Sequence, residues 1–248
     1  MKIALLGYGK MGKEIEALAI AKGHEVVLKI NEHNLNDLTL ENLRKADVAI
    51  EFSTPHTVVS NIRMCFEAGL PVVVGTTAWY EHFDMLKKEC EEKGQSLFYA
   101  TNFSIGVNLF FHFSKQLAKM MKHYTAYEVS VDEVHHTHKL DAPSGTAITT
   151  AEGILSEYPA KSSWVNQIVT TEHPAADTTA NSAELLIRSY RTDEVPGTHT
   201  VYYESEVDTI EFRHTAHSRK GFAAGALAAA EWLPGKKGIF TMNDMLSF

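Results

Sequence analysis

Three imidazoles and an ammonium fall within five consecutive residues, His135-His136-Thr137-His138-Lys139. Imidazole takes up and releases a proton near neutral pH, and an ammonium both donates hydrogen bonds and attracts anions. Together they suit acid–base work on a small anionic compound. Asp141-Ala142-Pro143 breaks the run, and Ser144-Gly145-Thr146-Ala147 reads as a helix start with Ser144 at the N-cap. The N–H groups of Gly145 and Thr146 behind that cap suit a carboxylate or phosphate, which Gly145 would admit close to the backbone. Histidine clusters also bind zinc. No cysteine or fourth ligand stands nearby in the chain, however, and Lys139 would repel a cation, so no metal is expected.

A strand must lead into this cluster. Tyr127 to Val134 alternates, with Val129, Val131 and Glu133 on one face and Ser130, Asp132 and Val134 on the other. A second candidate site opens the chain. Lys2 to Leu6 is a short apolar run of the kind expected for a buried parallel strand. Gly7-Tyr8-Gly9-Lys10-Met11-Gly12 follows, then an amphipathic helix closed by Gly23 and a second strand from His24 to Ile30. In that strand–loop–helix–strand context the GxGxxG spacing is the dinucleotide fingerprint. Its glycines allow a tight turn and let a pyrophosphate reach helix N–H groups. The residue about twenty beyond the last glycine, at the second strand's end, should meet the adenine ribose; that residue is Asn31.

The βα rhythm continues through strands at Asp47–Phe52, Pro71–Val74 and Ser96–Ala100, with helices at about Thr57–Ala68 and Glu81–Lys93. Small residues, Gly75-Thr76-Thr77, end the fourth strand, where open parallel sheets hold ligands. Ile105 to Lys122 reads as a long helix whose Phe110, Phe111, Phe113, Leu117, Met120 and Met121 are taken as core. Alternating segments at Asn166–Thr171, Ala183–Tyr190, Thr198–Tyr203 and Asp208–His214 suggest a mainly antiparallel sheet backed by helices, an α+β arrangement. Glu172 to Asn181 has no apolar residue larger than alanine apart from Pro174 and reads as a mobile loop. Gly221 to Leu233 is an Ala-rich helix suited to close packing.

The run Glu133 to Ala147, EVHHTHKLDAPSGTA, resembles the signature of the 4-hydroxy-tetrahydrodipicolinate (dihydrodipicolinate) reductase family of the diaminopimelate–lysine pathway. The Gly-rich loop, GTT, NFSIGVN and the C-terminal helix extend the likeness along essentially the whole chain. The resemblance implies that His135 and Lys139 are the catalytic acid–base pair. It implies too that His136, Gly145 and Thr146 hold a small dicarboxylate substrate. Gly75-Thr76-Thr77 and Ala100-Thr101-Asn102-Phe103 stand where family members contact the nicotinamide half of the cofactor. The implied fold is a Rossmann-type α/β nucleotide domain, residues 1–103 plus 216–248, with an α+β substrate-binding and oligomerisation domain, residues 104–215, inserted. The family is commonly tetrameric, so a homotetramer is expected.

The implied cofactor is NADH or NADPH. Family members often carry an acid at the position of Asn31 and some carry arginine at the next; this sequence has Asn31-Glu32 and departs at both. Asn31 lacks the charge that rejects a 2′-phosphate, Glu32 would repel one, and Lys29 and His33 could partly offset that repulsion. Both cofactors should therefore work, with NADH modestly favoured. Another two-domain NAD(P)-dependent oxidoreductase and a nucleotide-binding sensor without turnover are the alternatives.

The 248 residues, 44% of them hydrophobic, can bury a full core. A net charge of −8 with no Lys/Arg-rich block excludes a general nucleic-acid binder, and suits a protein that holds an anionic substrate at one cationic spot. Two cysteines, Cys65 and Cys90, imply no disulfide framework and a reducing compartment. The chain shows no signal-peptide pattern and no membrane-spanning run, so a cytoplasmic location without membrane contact is expected.

Overall fold

The computed structural model describes residues 1–169 and 180–248, so most of the stretch read as a loop, Glu172–Asn181, lies outside the described residues. The chain divides into two compact units, Met1–Ile105 with Lys220–Phe248, and Gly106–Arg219.

The first unit is a parallel sheet with helices on both faces. Its strands in chain order begin with β1 (Lys2–Leu6), β2 (Glu25–Ile30), β3 (Val48–Glu51), β4 (Val72–Val74) and β5 (Ser96–Tyr99). Helices α1 (Lys10–Ala21), α2 (Leu40–Leu43), α3 (Val58–Ala68) and α4 (Phe83–Glu92) connect them. Alternate residues of β1 serve opposite cores, which is why the strand reads as continuously apolar. Ala4 and Leu6 join Ile62, Phe66 and Leu86 on one side, while Ile3 and Leu5 join Ile15, Ala226 and Leu227 on the other. Gly69 closes α3 in the left-handed conformation at φ 72°.

The second unit begins with α5 (Ile105–Met121), then β6 (Glu128–His135), α6 (Gly145–Leu155), β7 (Ser163–Val169), β8 (Glu184–Arg191), β9 (Thr198–Glu204) and β10 (Thr209–Thr215). The strands lie in the order β10-β9-β6-β8-β7. β9 pairs antiparallel with both β10 and β6, whereas β6–β8 and β7–β8 are parallel. The expected mainly antiparallel sheet is thus a mixed one. Polar–apolar alternation is the same in either strand direction, so direction is set by the connections. β9 and β10 are joined by a tight turn, where Ser205 N–H donates to the Asp208 carbonyl. One face of the sheet, with Val129, Val131, Leu185, Ile187, Val201 and Tyr203, packs on Phe110 and Ala118 of α5 and Ala147 and Ala151 of α6.

Two readings of the sequence need correcting here. Of the apolar stripe on α5, Phe110 and Met121 are buried, but Phe113 and Met120 are 52% and 67% exposed, so the helix carries a second apolar face turned outward. And the alternation of β6 runs on through His135, which is buried on the same face as Glu133.

The chain returns to the first unit with α7 (Lys220–Trp232), β11 (Gly238–Phe240) and α8 (Met242–Leu246). β11 extends the parallel sheet to β11-β5-β4-β3-β1-β2. Gly225 lies so close to the Phe103 carbonyl that any Cβ would overlap it, which is the close packing its small residues allow.

Candidate active site

In the first unit a cleft of about 840 Å³ runs along the C-terminal ends of β1, β2 and β3. Gly7, Tyr8, Gly9, Asn31, Glu32 and His33 line it, with Ser53 and Asn61 opposite. Beside it, Gly9, Lys10, Met11, Gly75, Thr76 and Thr77 line a second hollow of about 480 Å³. The glycines are required by geometry. Gly7 sits at φ 102° with its Cα against the Phe52 carbonyl, Gly75 lies against the Phe52 ring, and a Cβ on Gly12 would stand 2.6 Å from the Gly7 carbonyl oxygen. Gly9 caps α1 without a side-chain hydrogen bond, so the first-turn N–H groups of this helix face the hollow with no capping side chain. Closely approached backbone, an uncapped helix start and a polar groove at the strand ends fit a dinucleotide.

Ala100, Thr101, Asn102 and Phe103 line neither hollow. Phe103 is buried, with its ring 5.8 Å from Phe52 and 5.9 Å from Phe98, and Asn102 Oδ1 accepts the Ser104 N–H. Beneath the cleft lies a carboxylate that sequence reading missed. Glu51 is fully buried at the end of β3, and Oε1 accepts from Ser53 N–H, Ser53 Oγ and Asn61 Nδ2. Burial pushes its carboxyl above the ordinary range, against the pull of these donors. Ser53 N–H also donates to Thr76 Oγ1 at 2.9 Å, so the loops after β3 and β4 are tied together.

In the second unit, sheet register builds the site. Glu133 stands opposite His199 of β9 and Ser189 of β8, and His135 stands opposite Arg191 of β8. All five side chains are buried. Glu133 Oε2 lies 2.5 Å from His135 Nδ1, and Oε1 accepts from Arg191 Nη2 at 2.9 Å and from Ser144 N–H at 3.3 Å. Burial pushes the Glu133 carboxyl up, but His135, Ser189 and Arg191 together hold it well below the usual carboxylate range. His199 packs 5.1 Å from His135, ring to ring. Burial, with the charge on His135 adding to it, lowers its pKa to about 3, so it is neutral.

Ser144 is the N-cap of α6. Its hydroxyl accepts from Ala147 N–H at 3.2 Å and lies 3.0 Å from His199 Nε2. Gly145 in front of it is exposed and faces open space, which leaves the helix start accessible. Lys139 Nζ pairs with Asp141 at 2.8 Å. His136 is fixed through its backbone N–H to the Val195 carbonyl, and among the described residues its Nδ1 has no hydrogen-bond partner.

The signature histidines do not converge on one another as a metal set. The one such group among the described residues is Glu133, His135 and His199, whose donor atoms lie within 4.8 Å. Its carboxylate is already engaged by the Arg191 guanidinium, which disfavours a second cation there. Arg191, His199 and Asp141 are site residues that sequence reading did not single out. Asp141 stood in view within the signature, whereas Arg191 and His199 are recruited from distant strands by register alone.

A glycine-lined cleft at the strand ends of a parallel sheet, with a basic loop and capped helix on a second unit, defines a two-unit α/β protein of the Rossmann type. Comparison with known proteins narrows that class. Family models described as dihydrodipicolinate reductase, N-terminus and C-terminus, match residues 1–103 and 106–246. A 4-hydroxy-tetrahydrodipicolinate reductase of Christiangramia forsetii is 44% identical, with 100% of this chain and 98% of that protein covered. One from Neisseria gonorrhoeae is 31% identical over 93% of this chain and 83% of its own length. A dipicolinate-bound dihydrodipicolinate reductase of Paenisporosarcina sp. TG-14 shares the fold with a TM-score of 0.78 at 25% identity, covering 97% of each chain. The chain belongs to the dihydrodipicolinate reductase family.

Proposed function

We propose that this chain catalyses the NAD(P)H-dependent reduction of 4-hydroxy-tetrahydrodipicolinate to tetrahydrodipicolinate. The first unit is read as the cofactor domain and the second as the substrate domain. Overall, the substrate loses one water, its hydroxyl together with a ring hydrogen, and gains one hydride and one proton. The nicotinamide, when bound, supplies the hydride; the chain supplies binding, charge and the proton. Gly7 to Gly12 offer close backbone and helix N–H groups to the pyrophosphate, and Asn31 lies where the adenine ribose is expected. Lys139 and His136 face the substrate carboxylates, one of which the Gly145 and Thr146 N–H groups receive at the start of α6. His135 and Lys139 exchange the proton.

The observation that carries this reading is the buried His135–Glu133 pair beside an ammonium and an open helix start, on a chain of this family. The test is NADH oxidation, followed by absorbance, with 4-hydroxy-tetrahydrodipicolinate supplied. Turnover is expected, and His135→Ala and Lys139→Ala should each lower kcat by roughly 10²-fold or more while NADH still binds. Retention of more than about a tenth of kcat in both would remove these two residues from the mechanism.

The finer parts of the reading are NADH favoured by a modest factor, a cytoplasmic setting and a homotetramer. Among the described residues no helix is long and apolar enough to cross a membrane. The sheet face away from the helices leaves Val134, Leu186, Tyr190 and Tyr202 half-buried, and among the described residues β10 and β7 are the edge strands, features that a partner subunit would cover. Light scattering on the purified chain tests the tetramer.

A further inference from the structure

We propose that Glu133, clamped by Arg191, is a positioning residue that holds the His135 ring with its proton on Nδ1 and leaves Nε2 to exchange a proton with the substrate. The inference rests on the reading of His135 as an acid–base group and adds the device that sets which of its nitrogens works.

Glu133 and His135 are two apart on β6, so both project from the sheet face that carries the core. A fully buried carboxylate stays charged only when it is paired. Its two oxygens divide the task, Oε1 receiving Arg191 Nη2 and the Ser144 N–H, and Oε2 standing 2.5 Å from Nδ1. The contact is an ion pair and not a regular hydrogen bond, since neither Oε2 nor Nδ1 meets hydrogen-bond geometry. An unprotonated Nδ1 at 2.5 Å would nevertheless set its lone pair against the carboxylate, so this nitrogen carries the hydrogen. In neutral His135 the lone pair is then on Nε2.

A simpler account makes Glu133 no more than the counter-ion of Arg191. The guanidinium, however, is held independently, by Nη2 to the Asp141 carbonyl at 2.7 Å and Nη1 to the Tyr190 carbonyl at 2.8 Å. And only one carboxylate oxygen is given to it, the other being turned to the ring. The opposite side of the ring is shaped as well. A Cβ at Gly197, whose φ is 153°, would stand 3.0 Å from Nε2, so a side chain there would crowd the nitrogen proposed to work.

The surrounding charges leave Glu133 as the group that steadies an imidazolium. From β8 comes the Arg191 cation, from β9 the neutral His199, from β10 His214, itself depressed by burial, and from the loop the Lys139–Asp141 pair. His136 follows directly after the strand. When His135 carries both protons, the carboxylate at 2.5 Å is the anion in contact with it. Glu133 itself stays ionised throughout, so the proton given or taken at Nε2 passes between imidazole and substrate alone.

The test is the long-range ¹H–¹⁵N spectrum of histidine-labelled protein with NADH present, together with steady-state kinetics of Glu133→Gln, Glu133→Asp and His135→Ala. In the wild type His135 should show the Nδ1–H tautomer. Glu133→Gln should redistribute its ring protons and lower kcat by roughly 10²-fold at unchanged NADH affinity, with Glu133→Asp recovering part of the rate. A wild-type Nε2–H tautomer overturns the proposal, even if no variant folds. So does a folded Glu133→Gln with wild-type ring shifts and kcat. Loss of activity in His135→Ala alongside an Nε2–H tautomer sinks this inference alone. Full activity in His135→Ala sinks the reading on which it rests.

Discussion

Lys139 Nζ is held between both oxygens of Asp141, at 2.8 Å from Oδ1 and 2.9 Å from Oδ2. Hydrogen bonding from Lys139 keeps the Asp141 carboxyl below its ordinary range. The ammonium proposed to meet a substrate carboxylate therefore already has a carboxylate partner three residues before the helix cap.

If that partner competes with the substrate, Asp141→Asn should tighten binding of pyridine-2,6-dicarboxylate. The gain should be about fivefold at most, since so exposed a pair is worth ~1 kcal/mol or less. Calorimetric titration of both proteins measures it. Weaker binding in the variant would mean that Asp141 presents the ammonium instead of competing for it.

Two glycines of the first loop should separate folding from cofactor binding. A Cβ on Gly12 meets a backbone carbonyl that cannot give way cheaply, so Gly12→Ala should lose roughly 1–3 kcal/mol of stability. A Cβ on Gly9 meets nothing of the chain within 4 Å, and its φ is negative, although its ψ of −148° lies just outside the extended range. Gly9→Ala should then keep its denaturation midpoint yet bind NADH more weakly, because the new methyl would stand where the pyrophosphate approaches the helix start. Unaltered NADH affinity in a stable Gly9→Ala would contradict the placement of the cofactor in this hollow.

The first unit was largely legible because its signals are local. Buried parallel strands such as Val72–Val74 read as apolar runs, and Gly69 ends its helix in the conformation that glycine favours. The N-cap of α6 was legible for the same reason, Ser144 being followed directly by the N–H it caps. Strand direction in the second sheet was not, since alternation at Glu184–Arg191 would look the same in an antiparallel neighbour. Nor was the ring of groups about His135, because Arg191 and His199 are brought to it by register across three strands. The outward face of α5 was misread for a related reason. Periodicity identifies an apolar stripe, and Phe113 and Met120 show that it does not say what covers it.

His199 makes stability depend on acid. Its folded pKa, about 3, lies below the ordinary 6.5, so below pH 6.5 the unfolded chain binds a proton that the folded chain refuses. Its contribution is complete above pH 6.5 and is lost progressively down to about pH 3, at up to ~1.4 kcal/mol per pH unit. Glu133, whose carboxyl is depressed, adds a loss in the same direction that begins only as pH falls below the ordinary carboxylate value of 4.5. Urea unfolding at pH 7, 6 and 5 should therefore show falling stability in the wild type. His199→Gln, which offers the Ser144 hydroxyl a partner but does not titrate, should be flatter over that span. Parallel slopes for the two proteins would show that His199 is not the titrating group.

Cofactor choice turns on the end of β2. Asn31 Oδ1 is taken by the His33 N–H at 2.8 Å, and the Asn31 N–H donates to Asn34, so the turn presents an amide and no charge to the ribose. Of the two cations that could soften the repulsion of a 2′-phosphate by Glu32, one is occupied. Lys29 lies 3.1 Å from Glu16, whose other oxygen accepts the Tyr8 hydroxyl. His33 is 82% exposed and stands 3.4 Å from Glu32. NADH should therefore be favoured, by a factor on the order of 10 or less in kcat/KM, because one screened charge is worth ~1 kcal/mol. Glu32→Arg should turn the preference toward NADPH by supplying a fork that a phosphate can grip. Glu16→Gln, which releases Lys29, should move it the same way by less. The measurement is kcat/KM for each cofactor at fixed ionic strength in the three proteins. A strong wild-type preference for NADPH would mean that a cation other than Lys29 grips the phosphate, and that Glu32 points away from it.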